Sequence, residues 1–97
     1  MGTAVASPSL KVRVGRILVR ITQNDIDRGA RYAADCCPIA LALKRMGFSA
    51  INVWGNRASF LDPRADEFIH RSFPQEAKEF IRAFDNRKSV KPTKFHI

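Results

Sequence analysis

Cys36 and Cys37 stand side by side immediately before Pro38, at the head of a helix-prone stretch. A thiol at a helix N-terminus feels the partial positive charge of that end, which lowers its pKa and enriches the nucleophilic thiolate. Asp35 next door acts in the opposite sense and favours the protonated form. The spacing is not the C-x-x-C of disulfide oxidoreductases, and neither His nor Asn is so placed that sequence alone nominates a base. Neighbouring cysteines rarely bridge each other, because the bond would force a strained ring and a distorted peptide. Two readings stay open: Cys36 and Cys37 as reactive thiols of a thiol-dependent redox protein, or as small side chains packed under a helix start.

Metal chemistry has less to work with. Cys36, Cys37, His70 and His96 are the only soft ligands, and apart from the adjacent pair they are scattered. Zinc sites favour ligand pairs two to four residues apart, so no metal is expected. Asp25-Ile26-Asp27-Arg28-Gly29 resembles a fragment of a calcium loop, but the third acidic position and the distal Glu are missing. Glu67 and His70 would lie one turn apart on a helix, a single pair with no nucleophile. The expectation is a protein without catalytic residues and without a cofactor.

Charge is the stronger signal. The chain of 97 residues carries 17 Lys and Arg against 9 Asp and Glu, a formal net charge of +8. Residues 1–20 hold Lys11, Arg13, Arg16 and Arg20 with no acid, and residues 86–97 hold Arg87, Lys88, Lys91 and Lys94 with no acid. The segment between them is balanced, so the whole excess sits at the two ends. Cations that neutralise phosphates give affinity that falls steeply with salt, and Trp54 could stack on an unpaired base. Arg57-Ala58-Ser59-Phe60 lacks the glycine and the paired aromatics of an RNA-recognition strand. An acidic protein partner or a merely solvated basic surface would carry the same charge.

The elements that must position these residues follow from periodicity and caps. Ile17, Val19 and Ile21 alternate with Arg16, Leu18, Arg20 and Thr22, the pattern of a strand with one buried face. Val12 and Val14 have the opposite parity, which a bulge or turn at Gly15 would explain. Asn24 is expected to cap a short helix that Gly29 interrupts. Asp35 to Pro38 opens a second helix, in which Ile39, Ala42, Leu43 and Met46 share a face. Gly47 ends it in a left-handed stop, with Phe48 folding back on Leu43. Residues 50–54 and 57–61 read as a hairpin around Gly55-Asn56 that buries Ile51, Val53, Ala58 and Phe60. Residues 64–73 suggest a short helix burying Phe68 and Ile69. Ser72 to Gln75 matches a capping box, and Ala77, Phe80, Ile81 and Phe84 form an apolar stripe behind it. Residues 90–97 alternate again, as a strand that lies at an edge or pairs only beyond Pro92.

The expected order is β-α-β-β-α-β, an α+β protein of the ferredoxin-like kind with a two-layer sandwich and an antiparallel sheet. In that arrangement the first and last strands are neighbours. Arg16, Arg20, Lys94 and His96 would share the helix-free face, with Trp54 and Arg57 further along it. These six are the candidate nucleic-acid or anion-binding residues. The edge strand could also pair across a homodimer.

Length implies a single domain over residues 11–97 behind a disordered lead-in of residues 1–10. The most apolar stretch, residues 33–43, is broken by Asp35 and Pro38 and is far too short to span a bilayer. Residues 1–10 lack the charged and apolar regions of a signal peptide. Two adjacent cysteines suit a reducing, cytoplasmic setting.

Ile21-Thr22-Gln23-Asn24-Asp25-Ile26-Asp27-Arg28-Gly29, followed by Asp35-Cys36-Cys37-Pro38-Ile39-Ala40-Leu41-Ala42, resembles a pattern found in small bacteriophage- and prophage-encoded proteins with no assigned activity. Phe80-Ile81-Arg82-Ala83-Phe84-Asp85 with Val90, Pro92 and Phe95 extends the resemblance over residues 17–97. In that pattern the cysteine is often spaced from a second one, whereas here the two are adjacent, which weakens a metal reading further. The resemblance implies a phage context inside a bacterial host cell. It adds a second class of function: an anti-defence inhibitor, of anti-CRISPR type, that occludes a host protein complex. With this charge it would have to meet an acidic host protein or the nucleic acid of a ribonucleoprotein.

Overall fold

The computed structural model describes residues 15–97. The lead-in of residues 1–10, the cations Lys11 and Arg13 and the Val12–Val14 parity switch lie outside the described residues. The order is β1 (Leu18–Ile21), α1 (Gln23–Arg28), α2 (Pro38–Arg45), β2 (Ser49–Val53), β3 (Arg57–Asp62), β4 (Glu67–Ser72), α3 (Gln75–Asp85) and β5 (Thr93–His96).

The protein is α+β with antiparallel pairing, but the strands form two sheets rather than one. Among the described residues β1 pairs only β5, while β2, β3 and β4 make a meander in that order. The difference from a ferredoxin-like order begins at residues 67–72, which form a strand where a helix was expected. Ile69 is buried as expected, but Phe68 is 53% exposed. Adjacent residues of a strand point to opposite faces, so both cannot reach one core. A third strand on that hairpin then takes the β3 edge that β1 would otherwise occupy.

One hydrophobic core nevertheless serves both sheets. Ile17, Val19, Ile21, Phe95 and Ile97 from the β1–β5 side join Ile51, Val53, Ala58, Phe60 and Ile69 from the meander. Phe60 is fully buried against Phe48, ring centroids 4.6 Å apart and tilted by 53°. Each aromatic buried in this way stabilises by about 1.5–3 kcal/mol.

Local signals account for the helix ends with two corrections. The cap of α1 is Thr22 rather than Asn24: its hydroxyl accepts from the Asp25 amide at 3.2 Å, and the Asp25 carboxylate accepts from the Thr22 amide at 2.8 Å. Asp25 is therefore a capping-box residue as well as a first-turn acid. The expected Ser72–Gln75 box does not form, because Ser72 pairs with Arg57 in the β3–β4 ladder. Pro74 caps α3 without a side-chain bond, and the Phe73 amide donates to the Asn56 carbonyl.

α2 ends as its sequence predicts. Gly47 takes φ +103°, and the Phe48 amide returns to the Leu43 carbonyl at 3.2 Å, closing a Schellman turn. β5 begins just beyond Pro92, as the missing proline donor requires. Ala50 has φ 49° where the β2–β3 register shifts, the kink of a bulge.

Candidate nucleic-acid interface

The six candidate residues fall into two groups on the two sheets. In the β1–β5 ladder Leu18 faces His96 and Arg20 faces Lys94. Ile17, Val19, Ile21, Phe95 and Ile97 turn inward, so Arg20, Lys94 and His96 point to solvent. Arg16 has the same parity and lines one groove with Leu18, Lys94 and His96. Glu76 of α3 is the only acid lining that groove. None of Arg16, Arg20, Lys94 or His96 makes an ion pair with another described residue. The first and last strands thus meet, and residues 16–20 and 94–96, neither stretch holding an acid, contribute to one surface.

Trp54 and Arg57 belong to the other sheet. They flank the Gly55-Asn56 loop, the Trp54 amide donates to the Arg57 carbonyl at 2.8 Å, and the guanidinium lies 4.7 Å from the indole centroid. That is a cation–π contact. On the outward face of β2–β3–β4, Ser59 faces His70, Leu61 faces Phe68 and Arg57 faces Ser72. No carboxylate occupies an outward position on these three strands, since Asp62 and Glu67 share the inward parity. A cavity of about 310 Å³ opens here, lined by Trp54, Arg57, Ser59, His70, Arg71 and Ser72 around Ala58.

Phe68 and His70 were expected respectively in the core and as an isolated soft ligand, not on a binding face. The rings of these two β4 residues are nearly parallel, centroids 6.5 Å apart with 19° between planes. The signal was present in the alternation of Phe68 and His70 with Ile69 and Arg71, but a helix in that segment would have scattered them. Arg71 was missed for the same reason. Its guanidinium donates to the Gly15 carbonyl, which joins β4 to the residue preceding Arg16. The two basic groups are therefore connected through one arginine rather than spread along one sheet.

Burial and neighbouring charge raise the pKa of both thiols. Cys37 is the N-cap of α2 and is 2% exposed, its Sγ accepting from the Ala40 amide at 3.5 Å. Burial pushes its pKa up to about 11, against the lowering effect of the Ala40 and Ile39 amides. Cys36 is half-buried and also raised, by desolvation first and then by Asp35. The expected lowering by the helix terminus is thus overridden, because loss of water penalises thiolate more than two amide donors favour it. Both cysteines are free thiols.

Among the described residues no group of three or more His, Cys, Asp or Glu could hold a metal ion. Among them, too, no helix is long and apolar enough to cross a membrane. No protein-family model, no curated protein and no solved structure matches the chain.

Proposed function

We propose that this is a non-enzymatic, phage-type binding protein that holds nucleic acid, or a nucleoprotein complex, on its basic outward sheet surface inside a bacterial cell. The observation that carries this reading is Arg20 facing Lys94 across β1–β5, with Arg16 and His96 on the same side. Like charges set directly opposite each other on a ladder destabilise the pairing. A phosphate backbone laid over them reverses that sign, since each cation then neutralises an anion and releases a counterion. Glu76 offsets one charge at the rim and leaves the surface positive.

The competing reading, occlusion of a host protein complex, draws on Phe68, an exposed aromatic of the kind found at interface centres. Its target would remain bound after nuclease treatment.

Fluorescence anisotropy with a labelled single-stranded oligonucleotide at about 50 mM salt, where phosphate contacts are strongest, tests the reading. Binding should weaken steeply as salt rises, and the double reversal Arg20→Glu with Lys94→Glu should abolish it while circular dichroism stays unchanged. No binding at that salt overturns the nucleic-acid reading.

A further inference from the structure

We propose that the outward face of β2–β3–β4 is a base-stacking platform, so that the nucleic acid bound here is single-stranded. This deepens the proposed function and rests on it.

Three observations meet on that face. The first is exposed aromatic area: Trp54 is 42% and Phe68 53% exposed, on a molecule whose other phenylalanines are buried. Large apolar rings left in water on one face of a sheet are informative where scattered exposed aliphatics are not. The second is geometry. The Phe68 and His70 rings lie 19° from parallel with centroids 6.5 Å apart. Two ring planes so nearly aligned on one strand can each take a base face in van der Waals contact at about 3.5 Å. Indole and guanidinium are already stacked at Trp54–Arg57, which presents a second rigid plane.

The third is charge. The cavity of about 310 Å³ between Trp54 and His70 carries Arg57 and Arg71 and no carboxylate. Ser59 and Ser72 add hydroxyls that can donate or accept. An aromatic wall beside cations and hydroxyls fits a ligand that has both a π-face and a negative charge, which is a nucleotide. Arg71 shares the parity of Ile69 and donates to the Gly15 carbonyl, next to Arg16, which ties β4 to the residues that lead into β1. Duplex DNA keeps its bases paired and stacked internally, and would gain nothing from Trp54, Phe68 or His70.

Trp54 is the only tryptophan of the chain, so its fluorescence reports on the platform directly. The experiment titrates the full-length protein with oligothymidylate of about 12 nucleotides, within the usual span of one such surface. An abasic oligomer of the same length and a duplex serve as the other arms. Oligothymidylate should quench Trp54 and bind roughly 5- to 150-fold more tightly than the abasic strand, the range of one stacked base. The double variant Phe68→Ala with His70→Ala should remove much of that advantage and leave abasic binding unchanged. Equal affinity for the three ligands without quenching overturns the stacking platform but leaves a basic phosphate-binding surface. Absence of binding to all three at low salt overturns both readings.

Discussion

Arg20 and Lys94 stand directly opposite each other on the outward face of the β1–β5 ladder, two cations in one cross-strand pair. A single reversal, Lys94→Glu, turns this into an opposite-charge pair. It should stabilise the fold by about 0.2–1 kcal/mol and at the same time weaken nucleic-acid binding. Thermal melts and anisotropy on the same sample read both effects. A variant that melts lower and binds as well as the parent would contradict the assignment of this pair to ligand binding.

Arg45 connects three elements. Its Nη1 lies 2.5 Å from Asp25 Oδ1, and its Nη2 donates to the Arg20 carbonyl at 2.8 Å. The Asp25 side chain is 4% exposed and that of Arg45 46%, so the carboxylate depends on this partner more than the guanidinium does. Arg45→Met should cost about 1–3 kcal/mol in urea unfolding, the range for losing hydrogen bonds to a charged group. Arg64→Ala is the matching control. Arg64 also pairs with an aspartate, Asp62, but is 75% exposed, and its loss should cost under about 1 kcal/mol.

Gly29 is there for space. A Cβ added to it would sit 2.7 Å from Pro38 Cδ and 2.8 Å from the Asp25 carbonyl oxygen, while its φ of −71° suits any residue. Gly29→Ala should therefore destabilise by about 1–3 kcal/mol, as overpacking does. At Gly55 a Cβ meets nothing within 4 Å, and Gly55→Ala should leave the melting temperature nearly unchanged. Equal effects at the two sites would show that the α1–α2 contact is not tight.

Cys37 makes stability depend on alkaline pH. Its ordinary pKa of 9.0 is raised to about 11 by burial. Below pH 9 both folded and unfolded chains keep the proton, and the contribution is constant. Between these values the unfolded chain ionises first, so stability falls as pH rises, by about 3 kcal/mol across the window. The difference in unfolding free energy between the parent and Cys37→Ala should shrink from pH 8 to pH 11. A difference independent of pH would show that the thiol is not desolvated. By the same logic a thiol reagent at pH 8 should label Cys37 slowly until urea is added.

Local sequence determined much of what positions the site. Alternation around Val19 and Phe95 assigned the two terminal strands, and Gly47 with Phe48 closed α2 where the residues say it must. The sorting of Arg20 and Lys94 to an outward face followed from the same period of two, because a one-residue slip would bury both charges. Adjacency of the first and last strands was legible as well, because the expected β-α-β-β-α-β order makes them neighbours, and they pair here although the single sheet of that order does not form. Tertiary structure alone decided the rest. Residues 67–72 carry apolar side chains that suit either period, and only pairing with β3 makes them a strand. That choice exposed Phe68, aligned it with His70 and brought His70 into the cavity that Trp54 and Arg57 line. The thiols were decided the same way: helix position and Asp35 pull in opposite directions, and the core packed over Cys37 settled the balance. Burial depends on what the whole chain brings around a residue, which no local spacing records.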